Sequence, residues 1–258
     1  MDHRPLVRHQ FGANAANYAT SPVHASGASL ALVVELLQPQ THWHALDVAT
    51  AAGHTAFALA PHVATVVASD VTPEMLAIAG AGAAERGLGN VSFEPADAED
   101  LPFADDRFDV VTCRIAAHHF PRPDRFVAEV ARVLRPGGRF GLVDNMVDTA
   151  ASTFVNRLER RRDPSHVRAL ALEEWLELLT GAGLRPVARE LTVKRMVFSV
   201  WADNMNVAEE VRGELLEALE HAPGPAAAYL RPELGRPGDQ DAAAFHLTEG
   251  IIVAEAPA

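Results

Sequence analysis

The strongest constraint on the fold is the stretch from His44 to Met75, which contains a complete structural unit. A short apolar run ends at Asp47, a turn of small residues covers 49–53, and a second apolar run ends at Asp70. A strand, a tight turn, a helix and a second strand in this order form one βαβ unit, which occurs in many α/β proteins. Because the turn carries little side-chain bulk, a ligand can lie against backbone N–H groups at the helix start. The two carboxylates suit a nucleoside-like ligand, with Asp70 placed to accept both ribose hydroxyls.

Further strands and helices alternate after this unit. We expect strands at 91–94, 108–113 and 139–144, with a helix at 124–134 before the last of them. Such alternation predicts a doubly wound, mostly parallel sheet of the Rossmann-like type, covered by helices on both faces. Ligands of such sheets bind at the carboxyl ends of the strands. The polar residues that follow strand ends are Asp47, Asp70, Asp97, Arg114 and Asp144.

We interpret residues 1–258 as a single domain with three parts. Residues 1–40 form an N-terminal helical lid and the first core helix, and 41–145 form the ligand-binding core. Residues 146–258 hold a charged insertion over the mouth of the site and the C-terminal half of the sheet. In that half we expect a helix at 173–180, a strand at 187–200, a helix at 207–221, a loop at 222–241 and a last strand at 245–254.

Composition limits the compartment and the partners. No apolar run approaches the ~20 residues that span a bilayer, and no apolar segment suggests a secretory signal. The single cysteine, Cys113, suits a reducing cytoplasm. A net charge of −12 argues against nucleic acid or an anionic membrane as partner. We therefore expect a cytoplasmic protein that acts on a small molecule. The protein assembly compatible with these features is a homodimer.

Five segments in order resemble the motifs of class I S-adenosylmethionine-dependent methyltransferases, in the group that includes the ubiquinone/menaquinone-biosynthesis enzymes. They read LDVATAAG, VVASDVTPEM, ADAEDLPF, FDVVTCRIAAHHF and LRPGGRFGLVDN, and the similarity is close from Ala45 to Asp144. The resemblance implies S-adenosylmethionine as cofactor, with Asp70 on the ribose and Asp97 with Ala98 on the adenine. The cofactor-binding positions that it implies are Tyr18, Asp47, Ala49, Thr50, Ala51, Gly53, Asp70, Val71, Met75, Asp97, Ala98, Glu99 and Arg114.

The first motif departs from the family at two of its three glycine positions. Gly53 is kept, while Ala49 and Ala51 occupy the other two. If Ala51 needs a positive φ, the conformation costs on the order of 1 kcal/mol. The chain is then a slightly weaker binder, or it holds the cofactor differently and no longer uses it as a methyl donor.

The catalytic candidates are histidines, because methyl transfer needs mainly alignment and a dry site, and needs a base only for a hydroxyl or protonated amine. His118 and His119 follow the fourth strand, and adjacent residues do not both face the donor. His166, in the insertion, is expected on the acceptor side. Tyr18, His24, Asp144 and Asn145 complete the expected pocket. The alternative is that these histidines only line the pocket or have a structural role.

Other chemistries are less consistent with the sequence. A metal site would need three or four convergent ligands, which no spacing supplies. A nicotinamide dehydrogenase would need G-x-G-x-x-G after the first strand, and Ala49 to Gly53 lack it. A non-catalytic ligand-binding relative and an enzyme of the same fold that catalyses a cyclisation or rearrangement remain open.

Overall fold

A computed structural model describes residues 3–20, 27–235 and 240–258, without the side chains of 13–20. The helices are α1 Arg4–Thr20, α2 Ala28–Leu37, α3 His54–Leu59, α4 Pro73–Glu85, α5 Pro123–Val133, α6 Thr149–Arg162, α7 Leu172–Gly181, α8 Phe198–Asp203, α9 Glu209–Glu220 and α10 Gly224–Leu230. The strands are β1 His44–Val48, β2 Thr65–Asp70, β3 Val91–Pro95, β4 Phe108–Arg114, β5 Leu134–Met146, β6 Arg185–Val197 and β7 Ala244–Glu255. Short 3₁₀ turns cover Ala60–His62 and Ala117–His119.

The strands form one seven-stranded sheet in the order β3-β2-β1-β4-β5-β7-β6. Strands β1 to β5 pair in parallel, and β7 runs antiparallel to both β5 and β6. This confirms the doubly wound, mostly parallel sheet. The strand order reverses between β1 and β4, and such a switch point opens a crevice at the carboxyl ends of these two strands.

Alternate residues of the central strands enter hydrophobic clusters on opposite faces of the sheet. On β4, Val111 packs with Phe126 and Trp175, whereas Val110 packs with Leu37 of α2. Burial on both faces explains why these strands read as nearly continuous apolar runs. Helix α2 lies so close to β5 that a Cβ on Gly141 would be 2.9 Å from Leu37 Cδ1.

The N-terminal helix α1 packs against α4 and reaches the crevice. Its Arg8 Nε donates to the carbonyl of Val71 at 2.8 Å, just after β2. The ring of Phe11 meets the ring of His119 edge-on, with centroids 4.9 Å apart. Helix α1 therefore lies where the helical lid was expected.

The predicted boundaries are wrong in several places beyond the core. The strand expected at 187–200 ends at Val197, because Phe198 and Trp201 turn into a helix and are buried against Phe245. The loop expected at 222–241 contains α10, which Pro223 precedes and Leu230 anchors in the core. Tertiary burial overrides local propensity at both sites.

The charged insertion and the fifth strand also contain more regular structure than expected. The charged insertion contains helix α6, whose Val155 and Leu158 are buried. The fifth strand, expected at 139–144, runs from Leu134 to Met146 because its two ends pair with β4 and β7. None of the described helices is both long enough and apolar enough to span a membrane.

Candidate active site

The turn after β1 has the backbone of a glycine-rich loop, although two of its positions are alanine. Ala49, Ala51 and Gly53 have φ values of 53°, 47° and 89°. Between them, the Thr50 N–H donates to the Ser69 carbonyl of β2 at 2.9 Å. Only glycine adopts positive φ without a steric cost, so both alanines are held in a strained conformation.

Asp47, at the end of β1, holds this turn in place. Its carboxylate accepts hydrogen bonds from Thr50 Oγ1 at 2.6 Å, Thr112 Oγ1 at 2.7 Å and the Ala56 N–H at 3.2 Å. Burial raises the pKa of Asp47 to about 6, although these hydrogen bonds lower it. The contacts join β1, β4 and the first turn of α3 through one side chain.

Asp70, at the end of β2, joins that strand to the same turn. Its Oδ2 accepts the Ala51 N–H at 2.9 Å, and its Oδ1 accepts the Thr72 N–H at 2.8 Å. Burial raises the pKa of Asp70, against the effect of these bonds. Each carboxylate oxygen has a second lone pair, so Asp70 can still accept ligand hydroxyls.

A cavity of about 750 Å³, here named the turn cavity, lies between this turn and helix α1. It collects nine of the predicted site residues, which are Asp47, Ala49, Thr50, Ala51, Asp70, Val71, Met75, Arg114 and His119. Arg114 ends β4, and its Nε donates to Thr55 Oγ1 at 3.1 Å. Burial lowers the pKa of Arg114, while the carboxylates of Glu249 and Asp47 raise it.

A second cavity, here named the rim cavity, extends the first toward the end of β3. It measures about 1190 Å³ and includes the predicted residues Asp97, Ala98 and Glu99. It shares Ala49 and Val71 with the turn cavity, so the two form one groove. Asp97 accepts the Glu99 N–H on Oδ1 at 2.9 Å, while Arg4 of α1 binds its Oδ2 at 3.2 Å.

A third cavity of about 660 Å³ lies on the other side of the turn that follows β4. We name it the histidine cavity, since His118 and His119 line it, together with Ile115, Asn145, Glu159, Arg162, Asp163, Lys194, Met196, Trp201, Asn204, Met205 and Leu247. Only His119 of the two histidines also lines the turn cavity.

His118 forms a buried pair with Asp144 at the end of β5. Its Nδ1 lies 2.6 Å from Asp144 Oδ1, and its backbone N–H donates to Asp144 Oδ2 at 2.8 Å. Burial lowers the pKa of His118, but the carboxylates of Asp144, Glu159 and Asp163 outweigh it and leave the pKa raised. With Nδ1 facing the carboxylate, Nε2 is the ring nitrogen left to accept a proton.

His119 is a much weaker base. Its Nδ1 lies 2.9 Å from the carbonyl of Ser165, and its Nε2 lies 3.9 Å from Asp163 Oδ2. Burial and the neighbouring His118 lower the pKa of His119 to about 4. His119 is therefore neutral near pH 7 and forms a wall between cavities.

His166 is brought close to the pair but faces elsewhere. The N–H groups of Val167 and Arg168 donate to the carbonyl of His118 at 3.0 and 2.9 Å, which places His166 with its ring centroid 5.4 Å from that of His118. His166 Nε2 is bound to Asn156 Oδ1 at 2.8 Å, and burial strongly lowers its pKa. In the described part of the chain His166 lines none of the three cavities, so we leave it out of the proposed site.

Comparison with known proteins agrees with this arrangement. A family described as Methyltransferase domain matches residues 46–142. The chain is 38% identical over 214 residues to the uncharacterized methyltransferase YcgJ of Bacillus subtilis, covering 82% of this chain and 85% of that protein. The chain belongs to the class I S-adenosylmethionine-dependent methyltransferases.

Two further similarities concern the fold and the acceptor of this methyltransferase. A solved structure from Bacillus halodurans C-125 superposes with a TM-score of 0.85 at 37% identity, over 90% of this chain and 100% of that chain. The 27-O-demethylrifamycin SV methyltransferase of Amycolatopsis mediterranei is 35% identical over 148 residues, which are 57% of this chain and 52% of that protein.

S-adenosylmethionine is the cofactor of this methyltransferase, and the groove has suitable chemistry for it. Carboxylates stand at the ends of β1, β2 and just after β3, where hydroxyl, amino and sulfonium groups need acceptors or negative charge. The cation Arg114 lies in the same groove and suits a carboxylate. Among the described residues no cluster of three or more His, Cys, Asp or Glu is placed to hold a metal ion.

Some predicted site residues of the methyltransferase do not line the groove, and others lie outside the described part of the chain. Gly53 caps α3 and is not among the residues lining the turn cavity. The backbone of Tyr18 belongs to α1, but its side chain lies outside the described part of the chain, as does the whole of His24. Asn145 lines the histidine cavity, and Asp144 is buried beneath it.

Three residues near these cavities, Ile115, Lys194 and Glu249, were not among the predicted site residues. Ile115 lines both the turn cavity and the histidine cavity. The position of Ile115 directly after the fourth strand could have identified it as a site residue from the sequence. Lys194 and Glu249 form an ion pair across β6 and β7, 55 residues apart in the chain, and no local pattern could have indicated it.

Proposed function

We propose that this methyltransferase transfers the methyl group of S-adenosylmethionine to a hydroxyl oxygen of a small molecule in bacterial metabolism. The observation that carries the proposal is the pair of His118 and Asp144, 2.6 Å apart, beside the wall that the turn cavity and the histidine cavity share. A positioned base is needed for a hydroxyl acceptor, whereas alignment alone is enough for many others.

The groove residues have distinct proposed roles. Asp70 accepts the ribose hydroxyls, and Asp97 with the backbone of Ala98 contacts the adenine. Arg114 binds the methionine carboxylate. This division is supported by the order of the three groups along the groove, from β4 through β1 and β2 to the loop after β3.

In the reaction the sulfonium of S-adenosylmethionine supplies an electrophilic methyl group. The residues of the chain bind the two reactants in line and exclude water between them. His118 takes the hydroxyl proton on Nε2 while Asp144 holds Nδ1 and stabilises the imidazolium. The methyl–sulfur bond breaks as the methyl–oxygen bond forms, and the positive charge passes from sulfur to His118.

A small-molecule acceptor is supported by two observations. The name of the Amycolatopsis relative refers to one defined compound, 27-O-demethylrifamycin SV. The histidine cavity brings apolar side chains and several polar groups together in one concave site, as in many small-molecule sites.

A reaction without methyl transfer is less favoured. The sequence feature that suggested it was Ala51, yet Ala51 and Ala49 both adopt the left-handed conformation of a glycine turn. The likeness to a [4+2]-cyclase, at 24% identity, concerns the fold alone.

The binding step is tested with Asp70→Asn, by calorimetry with S-adenosylhomocysteine. Loss of a charged acceptor for hydroxyls should weaken binding by about 1.5–3 kcal/mol, or roughly 10- to 150-fold. Asp105→Asn removes an exposed carboxylate that lines neither the turn cavity nor the rim cavity and should bind like the wild type. Equal affinities for all three proteins would refute the assignment of Asp70.

A further inference from the structure

The turn cavity and the histidine cavity meet at two side chains, Ile115 and His119. His119 is held by the carbonyl of Ser165 and by the ring of Phe11. Ile115 is the apolar member of this partition. Ile115 therefore lies on the boundary between the two cavities.

Ile115 is held in an unfavourable backbone conformation. Its φ is 54°, in the left-handed region that a β-branched residue avoids. The chain is fixed at this residue and at the one before it, since the Ile115 N–H donates to the Val143 carbonyl at 2.7 Å and Arg114 is bound to Thr55. Strain of this kind persists where the surroundings over-determine a residue, and it is concentrated at functional sites.

Each charged side chain that lines the histidine cavity already has a partner within the protein. Arg162 Nη1 lies 2.9 Å from Glu159, and Lys194 is paired with Glu249. Asp163 accepts the hydroxyl of Ser165 at 2.6 Å. A charged ligand would have to break one of these buried pairs, and separating a buried pair is costly.

Apolar and amphipathic side chains form much of the rest of this wall, beside the polar Asn145 and Asn204. Met196, Met205 and Leu247 line it together with the indole of Trp201, over which Arg162 is stacked with its Cζ 4.9 Å from the ring centroid. Walls that combine apolar side chains with polar groups already partnered inside the protein favour an uncharged ligand that carries both apolar surface and a hydroxyl.

We propose that the histidine cavity is the acceptor site, that it takes a neutral hydroxyl compound, and that Ile115 sets the width of the passage to the donor methyl group. This rests on the proposed function, since it names the acceptor class of that same site. Ile115 is a specificity-determining residue: its side chain limits the size of the group that can extend from the turn cavity toward His118.

The passage is tested with an analogue of S-adenosylmethionine that carries an allyl group in place of the methyl. Wild type should bind the analogue at least tenfold more weakly than S-adenosylmethionine in calorimetry. Ile115→Ala should reduce this ratio at least fivefold, whatever change the shorter side chain makes to the affinity for S-adenosylmethionine itself. The control Val7→Ala trims another β-branched wall of the turn cavity, which does not line the histidine cavity, and should keep the wild-type ratio.

The outcomes separate the two proposals. If both compounds bind but the ratio of their affinities is the same in wild type and Ile115→Ala, this inference is overturned. The same holds if the ratio changes only in Val7→Ala, because the passage then lies elsewhere. If wild type binds neither compound, the proposed function itself fails.

The preference for a neutral acceptor is tested by thiol labelling in Met196→Cys, since the single native cysteine, Cys113, is buried. Three thiol reagents are compared: neutral methyl methanethiosulfonate, its anionic sulfonatoethyl counterpart and its cationic trimethylammonioethyl counterpart. Each labelling rate at position 196 is divided by the rate of the same reagent at the exposed control Val200→Cys. We expect this relative rate to be at least tenfold higher for the neutral reagent than for either charged one. Labelling should leave S-adenosylhomocysteine binding intact. Equal relative rates for all three reagents, or no labelling at position 196, would refute a neutral, accessible cavity.

Discussion

At the scale of single residues, the turn after β1 carries methyl groups where its backbone is left-handed. Ala49 and Ala51 have φ values of 53° and 47°. A left-handed conformation costs an L-residue roughly 1–2 kcal/mol, whereas glycine loses about 0.5–1 kcal/mol through its greater freedom in the unfolded chain. The cost of the left-handed conformation is the larger of the two, so the turn with alanine is less stable than the same turn with glycine would be.

Ala51→Gly should therefore raise the free energy of unfolding by about 0.5–1 kcal/mol, measured by urea denaturation. It should maintain or tighten the binding of S-adenosylmethionine. Ala52→Gly is the matched control in the same turn; Ala52 is buried and has no positive φ, so that substitution should destabilise. Loss of cofactor binding in Ala51→Gly would instead favour a different cofactor pose.

Also at the residue scale, the adjacent histidines should respond to pH with opposite signs. The native pKa of His118 is raised, so its contribution to stability is present below the unfolded value of about 6.5 and is lost as the pH rises through the native value. The native pKa of His119 is lowered to about 4, so the unfolded state binds more protons between these values. His119 therefore reduces stability as the pH falls from about 6.5 to 4.

His119→Gln should lose less stability on acidification than the wild type. Urea denaturation at pH 7, 6, 5 and 4 gives the free energy of unfolding, and the difference between the two proteins reports His119 together with its electrostatic interaction with His118. A constant difference across this range would mean that His119 is not buried in its neutral form.

At the scale of elements, helix α1 and the residue before it, His3, contact four different segments around the groove. His3 reaches the carbonyl of Ser165 at 2.8 Å, Arg4 binds Asp97, Arg8 binds the Val71 carbonyl, and Phe11 packs on His119. Because α1 lines both the turn cavity and the rim cavity, we expect its movement to control the release of a ligand from the groove.

Phe11→Ala should increase the dissociation rate of S-adenosylhomocysteine several-fold in stopped-flow measurements. The reason is that the helix then loses its apolar contact with His119. Leu6→Ala trims an exposed residue of the same helix and should leave the rate unchanged. The same rate in all three proteins would show that α1 does not control release.

At the scale of the whole molecule, the fold is shared by enzymes with different nucleotide cofactors, so ligand stabilisation distinguishes them. S-adenosylhomocysteine at a hundred times its Kd should stabilise the protein by about 2.7 kcal/mol. For a domain of this size that raises Tm by about 5–10 °C.

NADH is the matched control in this thermal denaturation and should leave Tm unchanged. A shift with NADH and none with S-adenosylhomocysteine would favour a dehydrogenase. The homodimer expected from the sequence stays a prediction, which sedimentation equilibrium would test.

The sequence by itself determined the parallel core strands and the chemistry at their ends. Apolar runs, small-residue turns and the acids Asp47, Asp70 and Asp97 are local features, and a parallel sheet brings strand ends together whatever lies between them. The fold class and the cofactor followed from these features and from the resemblance of five short motifs.

Only the tertiary structure decided what each histidine can do. Asp144 is 26 residues from His118 in the chain, and its contact across β4 and β5 raises one histidine pKa while burial lowers that of His119. The left-handed Ile115 and the end of β6 at Val197 likewise depend on neighbours from distant segments. Burial and long-range pairing act through space, so no local pattern in the sequence carries them.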